Sequence, residues 1–270
     1  MNKIIVQIYE VQTPSEAENL MALGVDHIGS VIVSHESWKV PSIRDTVHLV
    51  QGNEGRSTLI PLFDDIETIC FMLDYYKPDI IHFCEAITLE NGPGASCKKL
   101  VLLQKNIKKR FPEIKIMRSI PIFQTKVSNQ GETFELARMF EAVSDYFLTD
   151  TLIVKSSGSI FDLQPVKGFV GITGETCNWD IAAKLVQSSH IPVILAGGIS
   201  PDNVFEGIMQ VKPSGVDSCT GTNALDTKGC SIRFRKDLEK VKHMVDEVRR
   251  AELCLSELKP SLARVDNILI

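Results

Sequence analysis

Residues 192–224, PVILAGGISPDNVFEGIMQVKPSGVDSCTGTNA, constrain the fold more than any other stretch of the chain. Val193-Ile194-Leu195-Ala196 is a short, wholly apolar run, the pattern of a parallel strand covered on both faces. Gly197-Gly198 stops it. Ser200-Pro201-Asp202-Asn203 supplies the cap and proline that open a helix, and Val204, Ile208 and Val211 continue at helical spacing. Lys212-Pro213-Ser214-Gly215 ends that helix, Val216-Asp217-Ser218-Cys219 reads as a second strand, and Thr220-Gly221-Thr222 as a second tight turn. Two glycine turns therefore stand at the carboxyl ends of neighbouring parallel strands. Exposed backbone N–H groups in such turns, aided by a helix N-terminus, form the anion site that barrels use for a phosphate. Glycine used only to tighten two βα turns gives the same pattern, so both readings of Gly197, Gly198, Thr220 and Gly221 stand at this point.

The same alternation runs from the start of the chain. Ile4–Ile8 is a first strand, followed by Thr13 as N-cap, Pro14 at the first helical position and Glu16 completing a capping box. A helix carrying Ala17, Leu20 and Met21 ends before Gly24, and Val25–Val33 is a second strand, so one βαβ unit fills about 30 residues. Further strands are expected at Ser57–Phe63, Asp79–Cys84, Ile114–Pro121 and Tyr146–Asp150, with helices at Asp65–Tyr76, Ser96–Arg110 and Phe134–Val143. With the two strands described first, the count is eight. Eight strands alternating with helices predict one closed (β/α)8 TIM barrel over residues 1–270, of a size close to the ~250 residues such a fold needs.

Two segments exceed this repeat. Thr151–Gly174 is too long for a simple βα connection; it suits a lid containing Ser156-Ser157-Gly158-Ser159, or an extra hairpin using Val166–Ile172. Phe234–Ser256 is strongly helical, and Glu257–Ile270 extends beyond it as a C-terminal extension. That tail is expected to form an added helix, packed across the barrel or against another subunit in a homodimer. The amino terminus lacks the zones of a signal peptide, and no apolar run approaches the ~18 residues of a membrane helix. Seven cysteines without a C-x-x-C pair suit reduced thiols in a cytoplasmic protein. A net charge of −5 argues against a nucleic-acid partner, and the absence of a paired His or His/carboxylate motif argues against a metal. No cofactor is expected.

Gly171-Ile172-Thr173-Gly174-Glu175-Thr176-Cys177-Asn178-Trp179, with Ile194–Val204 and Gly215–Gly221, resembles the phosphoribosylanthranilate isomerase family, a single (β/α)8 barrel of tryptophan biosynthesis. The likeness is local over Gly171–Gly221 and topological elsewhere. It implies that Gly197, Gly198, Thr220 and Gly221 hold a substrate phosphate. It also implies an Amadori rearrangement, in which a general acid opens the ribose ring and a general base removes the C2 proton. The acid of the family matches Asp150, for which a helix cap or turn role is the alternative. The family carries Lys-Ile-Cys-Gly in its first strand with the cysteine as base, and the matching residues here are Gln7-Ile8-Tyr9-Glu10.

A phenol with a pKa of ~10 is a poor base at neutral pH, so Tyr9 points to altered chemistry. Tyr9 is expected to project from the first strand toward Asp150. Glu10, if its backbone turns it inward, and Cys84 on the fourth strand are further catalytic candidates. Lys39 is the basic residue nearest the position where the family has an arginine, after the second strand. It stands with His82 and Asp217 as a candidate substrate contact, although a lone strand His or Cys is more often part of the core than a catalyst. Two functions follow. One is an isomerase-type enzyme acting on a phosphorylated pentose or related sugar phosphate with altered acid/base residues. The other is a non-catalytic barrel that binds a phosphorylated ligand in a regulatory role.

Overall fold

The computed structural model describes residues 3–87, 95–123, 130–153 and 166–258. Eight parallel strands close a barrel in sequence order: β1 (Ile5–Ile8), β2 (His27–Ile32), β3 (Arg56–Pro61), β4 (Ile80–Phe83), β5 (Lys115–Phe123), β6 (Tyr146–Leu152), β7 (Val193–Leu195) and β8 (Gly215–Ser218). Closure is made by β1 against β8, with Ile5 opposite Gly215 and Gln7 opposite Asp217. The outer ring is α1 (Pro14–Ala22), α2 (Pro41–Gln51), α3 (Ile66–Tyr76), α4 (Ala95–Arg110), α5 (Gln130–Phe140), α6 (Trp179–Ser188), α7 (Val204–Val211) and α8 (Leu238–Leu258). No helix among the described residues is long and apolar enough to cross a membrane.

Local sequence explains the element starts. Thr13 Oγ1 accepts from Glu16 N at 3.4 Å to open α1, Asp65 accepts from Thr68 N at 2.8 Å to open α3, and Asn178 accepts from Asp180 N at 3.0 Å to open α6. At the amino-terminal face, three aspartates tie neighbouring strands together. Asp26 accepts from Val6 N at 3.0 Å, Asp79 from Ser57 N at 2.8 Å and Asp145 from Ile116 N at 2.9 Å. This face serves stability and leaves the opposite, carboxyl-terminal face for chemistry.

Apolar side chains fill the space between strands and helices in clusters that include Ile8, Leu20, Leu195 and Val248 on one side and Leu59, Leu73, Phe83 and Ile107 on another. The barrel interior is a separate layer of Val31, Ile60, Met117, Leu148 and Ile194. Within it Gln7 is shared: its Nε2 donates to Asp217 Oδ1 at 3.2 Å, and its Oε1 lies 3.1 Å from His27 Nδ1. Burial holds His27 neutral, its pKa lowered to about 4.

The expected helix from Phe234 begins instead at Leu238. Ser231–Lys236 forms β10, paired antiparallel with β9 (Asn223–Leu225), in a hairpin inserted after β8. Ser-Ile-Arg-Phe-Arg-Lys alternates apolar and charged residues with period two, which fits a strand and not the helix that follows. Glu257 lies in the last turn of α8, and the expected additional helix beyond it falls outside the described residues. The Ser156–Ser159 part of the expected lid also lies outside them. The returning part, Val166–Val170, is tied to the chain after β4: Ala86 N donates to Gly168 O at 2.8 Å and Val170 N to Cys84 O at 2.9 Å. Glu85 and Phe169 form an antiparallel bridge, and the residues that would make the other arm of the alternative hairpin lie outside the described residues.

Candidate active site at the carboxyl-terminal mouth

A cavity of about 360 Å³ opens among the carboxyl ends of the strands. It is lined by Tyr9, Glu10, His82, Cys84, Asp150 and Asp217, and by all four turn residues Gly197, Gly198, Thr220 and Gly221. The topology thus brings together every candidate read from the sequence except one. Lys39 lies outside. It is exposed on the approach to α2, with its ammonium 5.1 Å from the Trp38 ring centroid and 5.9 Å from that of Tyr75. The reason is local: Pro41 starts α2 at once, and the short lead-in carries Lys39 onto the aromatic pair on the outer face and away from the barrel axis.

Two carboxyl groups face the cavity from β6 and β8. Asp150 Oδ1 accepts from the adjacent Thr151 N at 2.8 Å, and its Oδ2 lies against Gly171, where a Cβ would come within 2.6 Å. Gly171 holds φ at 107°, so the loop can approach the carboxyl only without a side chain there. Burial pushes the Asp150 pKa up to about 7, opposed by the Thr151 hydrogen bond. Asp217 is pushed up to about 8, chiefly by burial, with the Gln7 hydrogen bond opposing and the Asp150 charge adding. A carboxyl poised near neutrality can both give and take a proton, the property an acid/base catalyst needs.

Tyr9 does not reach toward Asp150. Its ring lies over Gly29 of β2, where any Cβ would overlap it, and its hydroxyl is 2.7 Å from His82 Nδ1. His82 Nε2 is in turn 2.9 Å from Ser119 Oγ, so Tyr9, His82 and Ser119 form a buried chain across β1, β4 and β5. Burial raises the Tyr9 pKa well above its usual value, with the Asp217 and Cys84 charges adding, and lowers that of His82 to about 3, with Arg118 adding. Both are therefore neutral at physiological pH. Cys84 is likewise kept as the thiol by burial and by the Glu85 and Asp150 charges. Tipping the phenol toward β4 leaves the β6–β8 side of the mouth open.

Glu10 does turn inward. It has a left-handed φ of 64°, its side chain is buried, and its Oε1 accepts from Arg233 Nε at 2.7 Å. Arg233 arrives on β10 from a distant part of the chain, and no local signal in the sequence pairs the two. The turn after β7 is pinned by Asn203, whose Oδ1 accepts from Ser200 N and whose Nδ2 donates to Gly198 O, both at 2.9 Å. Gly197 and Gly198 hold φ at 85° and 64°. A Cβ on Gly198 would lie 2.5 Å from the Glu175 carbonyl carbon and from Thr176 N, so this glycine packs the loop before α6 onto the turn. Ser200, Asn203 and the Gly171–Gly174 loop also line the cavity; all lie in stretches singled out from the sequence, although none of them was read there as a site residue.

A closed parallel barrel with glycine turns after β7 and β8, and a buried carboxyl on β6, defines a (β/α)8 TIM-barrel protein with a candidate site at its carboxyl-terminal mouth. Residues 112–247 match the family described as N-(5'phosphoribosyl)anthranilate (PRA) isomerase. The chain is 32% identical over 248 residues to the N-(5'-phosphoribosyl)anthranilate isomerase of Methanocella arvoryzae, covering 90% of this chain and 97% of that one. Against the Aquifex aeolicus enzyme of the same name, identity is 44% over 79 residues, 29% of this chain and 35% of that one. Among solved structures, phosphoribosyl anthranilate isomerase from Thermotoga maritima superposes with a TM-score of 0.65 at 18% identity, over 92% of this chain and 99% of that one. The chain belongs to the phosphoribosylanthranilate isomerase family.

Proposed function

We propose that this barrel binds a phosphorylated pentose or a related sugar phosphate, and that it performs isomerase-type proton transfer with a changed set of groups. The observation that carries the reading is the position of Asp150, a carboxyl with a pKa of about 7 in the same cavity as the turns after β7 and β8. On this reading the phosphate is held by backbone N–H groups of Gly197-Gly198 and Thr220-Gly221, and the sugar extends toward Asp150 and Asp217. A related protein of 18% identity was crystallised with reduced 1-(o-carboxyphenylamino)-1-deoxyribulose 5-phosphate, a phosphorylated ribulose derivative, which supports a ligand of this general class.

Asp150 would protonate the ring oxygen as the furanose opens. At pH 7 about half of such a group carries its proton, so it can act as acid and be reset as base within one turnover. The family pattern places a cysteine base where Tyr9 stands. Tyr9 is buried, neutral and committed to His82, which supports a reading in which it shapes the pocket and takes no proton from C2. Efficient turnover of phosphoribosylanthranilate is therefore not expected. The test combines calorimetric binding of ribulose 5-phosphate with an anthranilate-fluorescence assay for the isomerase. Expected are saturable binding of the sugar phosphate and turnover near background. Turnover at roughly 1 s⁻¹ or above, typical of ordinary enzymes, would overturn the altered chemistry. Failure to bind any pentose phosphate would overturn the ligand class.

A further inference from the structure

Lys236 ends β10 and is 6% exposed, a buried ammonium behind the turn that follows β8. Its Nζ donates to Cys219 O at 2.9 Å and to Asn223 Oδ1, two neutral acceptors on either side of Thr220–Thr222. None of the ion pairs among the described residues includes it. The acids around it are engaged elsewhere: Glu10 takes Arg233, Asp217 takes Gln7, and Glu16 Oε1 accepts from the backbone N of Lys236. A cation held out of water without an anion is costly. Fastening the turn does not need that charge, since Thr222 Oγ1 also donates to Cys219 O at 3.1 Å and Lys240 Nζ to Asn223 O at 2.9 Å.

The acceptor that Lys236 uses connects it to the cavity. Cys219 O and Thr220 N belong to one peptide unit, and in a planar trans peptide the carbonyl and the N–H point in opposite directions. A cation on the carbonyl oxygen polarises the N–H on the far side, as neighbouring hydrogen bonds in a chain do. Thr220 and Gly221 line the cavity, whose described lining residues include no lysine or arginine. The two glycine turns are also locked together: a Cβ on Gly221 would come within 2.6 Å of Ile199 O, and Ser218 Oγ donates to that oxygen at 2.7 Å.

We propose that Lys236 is a positioning residue for the ligand's phosphate: without touching the ligand, its ammonium polarises the Cys219–Thr220 peptide and is the buried counter-charge of a dianionic phosphate monoester. The inference rests on the sugar-phosphate reading of the cavity and adds the charge state that the site selects. Along that peptide the ammonium and a bound phosphate oxygen stand within roughly 8 Å of each other, from ordinary bond and hydrogen-bond lengths. Attraction over that distance is screened little in a protein interior. A singly charged head of the same shape would meet the same N–H donors and leave part of the Lys236 charge unanswered.

The experiment is isothermal calorimetry on the full chain at pH 7.5 with ribulose 5-phosphate and ribulose 5-sulfate. The two heads share a tetrahedral shape, but the phosphate monoester, with a second pKa of about 6, is there mostly a dianion and the sulfate ester a monoanion. The wild-type protein is expected to prefer the phosphate by roughly tenfold or more. Lys236→Gln removes the charge and keeps an amide donor for the turn, and it should cut that preference by about tenfold while weakening the sulfate ester much less. A purely structural lysine would weaken both ligands by the same factor. Lys240→Gln is the comparison: it also loosens the turn, but its carbonyl partner, Asn223 O, belongs to a different peptide, so the preference should hold. An unchanged preference in folded Lys236→Gln, or an equal loss in Lys240→Gln, overturns the proposal and leaves the sugar-phosphate reading intact. If Lys236→Gln does not fold, the wild-type protein carries the test, and parity between the two esters overturns the proposal. No binding of ribulose 5-phosphate by the wild-type protein overturns the sugar-phosphate reading itself.

Discussion

Asp217→Asn should flatten the fall in stability of the unliganded protein above neutral pH. Asp217 has a folded pKa of about 8 and Asp150 of about 7, against ~3.9 for an unfolded aspartate. A carboxyl whose pKa rises on folding stabilises the fold fully below the unfolded value, and that contribution is lost as pH climbs to the folded value. Below pH 6.5 the trend is masked. His27 and His82, with folded pKa values of about 4 and about 3, favour the native state above their unfolded pKa and lose that contribution as pH falls. The buried thiols and Tyr9 act only near and above their own unfolded values. Between pH 6.5 and 8 the two aspartates therefore dominate among the buried groups. Across that window Asp217 should lose about 1.5 kcal/mol and Asp150 somewhat under ~1 kcal/mol. Urea unfolding at pH 6.5, 7.2 and 8.0 measures this directly. The wild-type free energy should drop by about 2 kcal/mol, and Asp217→Asn, whose amide oxygen can still accept from Gln7, should remove more than half of the drop. An unchanged pH slope in Asp217→Asn would refute the claim that Asp217 is held protonated.

Three other substitutions have expected outcomes. Tyr9→Phe leaves His82 Nδ1 buried without its partner and should cost about 1–3 kcal/mol in denaturant unfolding; a cost near zero would mean the buried chain is not formed. Gly198→Val places a branched side chain against the backbone of Glu175 and Thr176 at a φ of 64°, so it should lose at least ~2 kcal/mol, read as a lowered urea midpoint. Its binding defect would then report on the fold and not on the N–H donors. Asp150→Asn should retain sugar-phosphate affinity in calorimetry to within about tenfold, since the phosphate turns are untouched.

The barrel was legible because its signal is repetitive. Strands such as Val193–Leu195 are short apolar runs, α1 is opened by a recognisable cap at Thr13, and the strand order of a closed parallel barrel follows from sequence order alone. The glycine turns, Asp150 and Asp217 were legible for a related reason: they sit at fixed offsets from strand ends. Side-chain direction was not. Tyr9 turns toward His82 because Gly29 on the neighbouring strand leaves a space for its ring, a pairing across 20 residues that no local pattern encodes. Glu10 meets Arg233 through a hairpin whose strand, Ser231–Lys236, overlaps at its last three residues the helix expected from Phe234. Lys39 was carried outward by the immediate start of α2 at Pro41. Gly198 could be read as an anion-site glycine from sequence, yet its close approach to Glu175 and Thr176 depends on where the loop before α6 returns.

The central claim is that a phosphosugar binds with its phosphate on the turns after β7 and β8. A crystal structure of the protein soaked with ribulose 5-phosphate tests it most directly. The account predicts phosphate density within hydrogen-bonding distance of the backbone N–H groups of Gly197-Gly198 and Thr220-Gly221, with the sugar carbons between Asp150 and Asp217. A phosphate bound elsewhere on the barrel, or a sugar lying against Tyr9 and His82 with Asp150 out of reach, would contradict it.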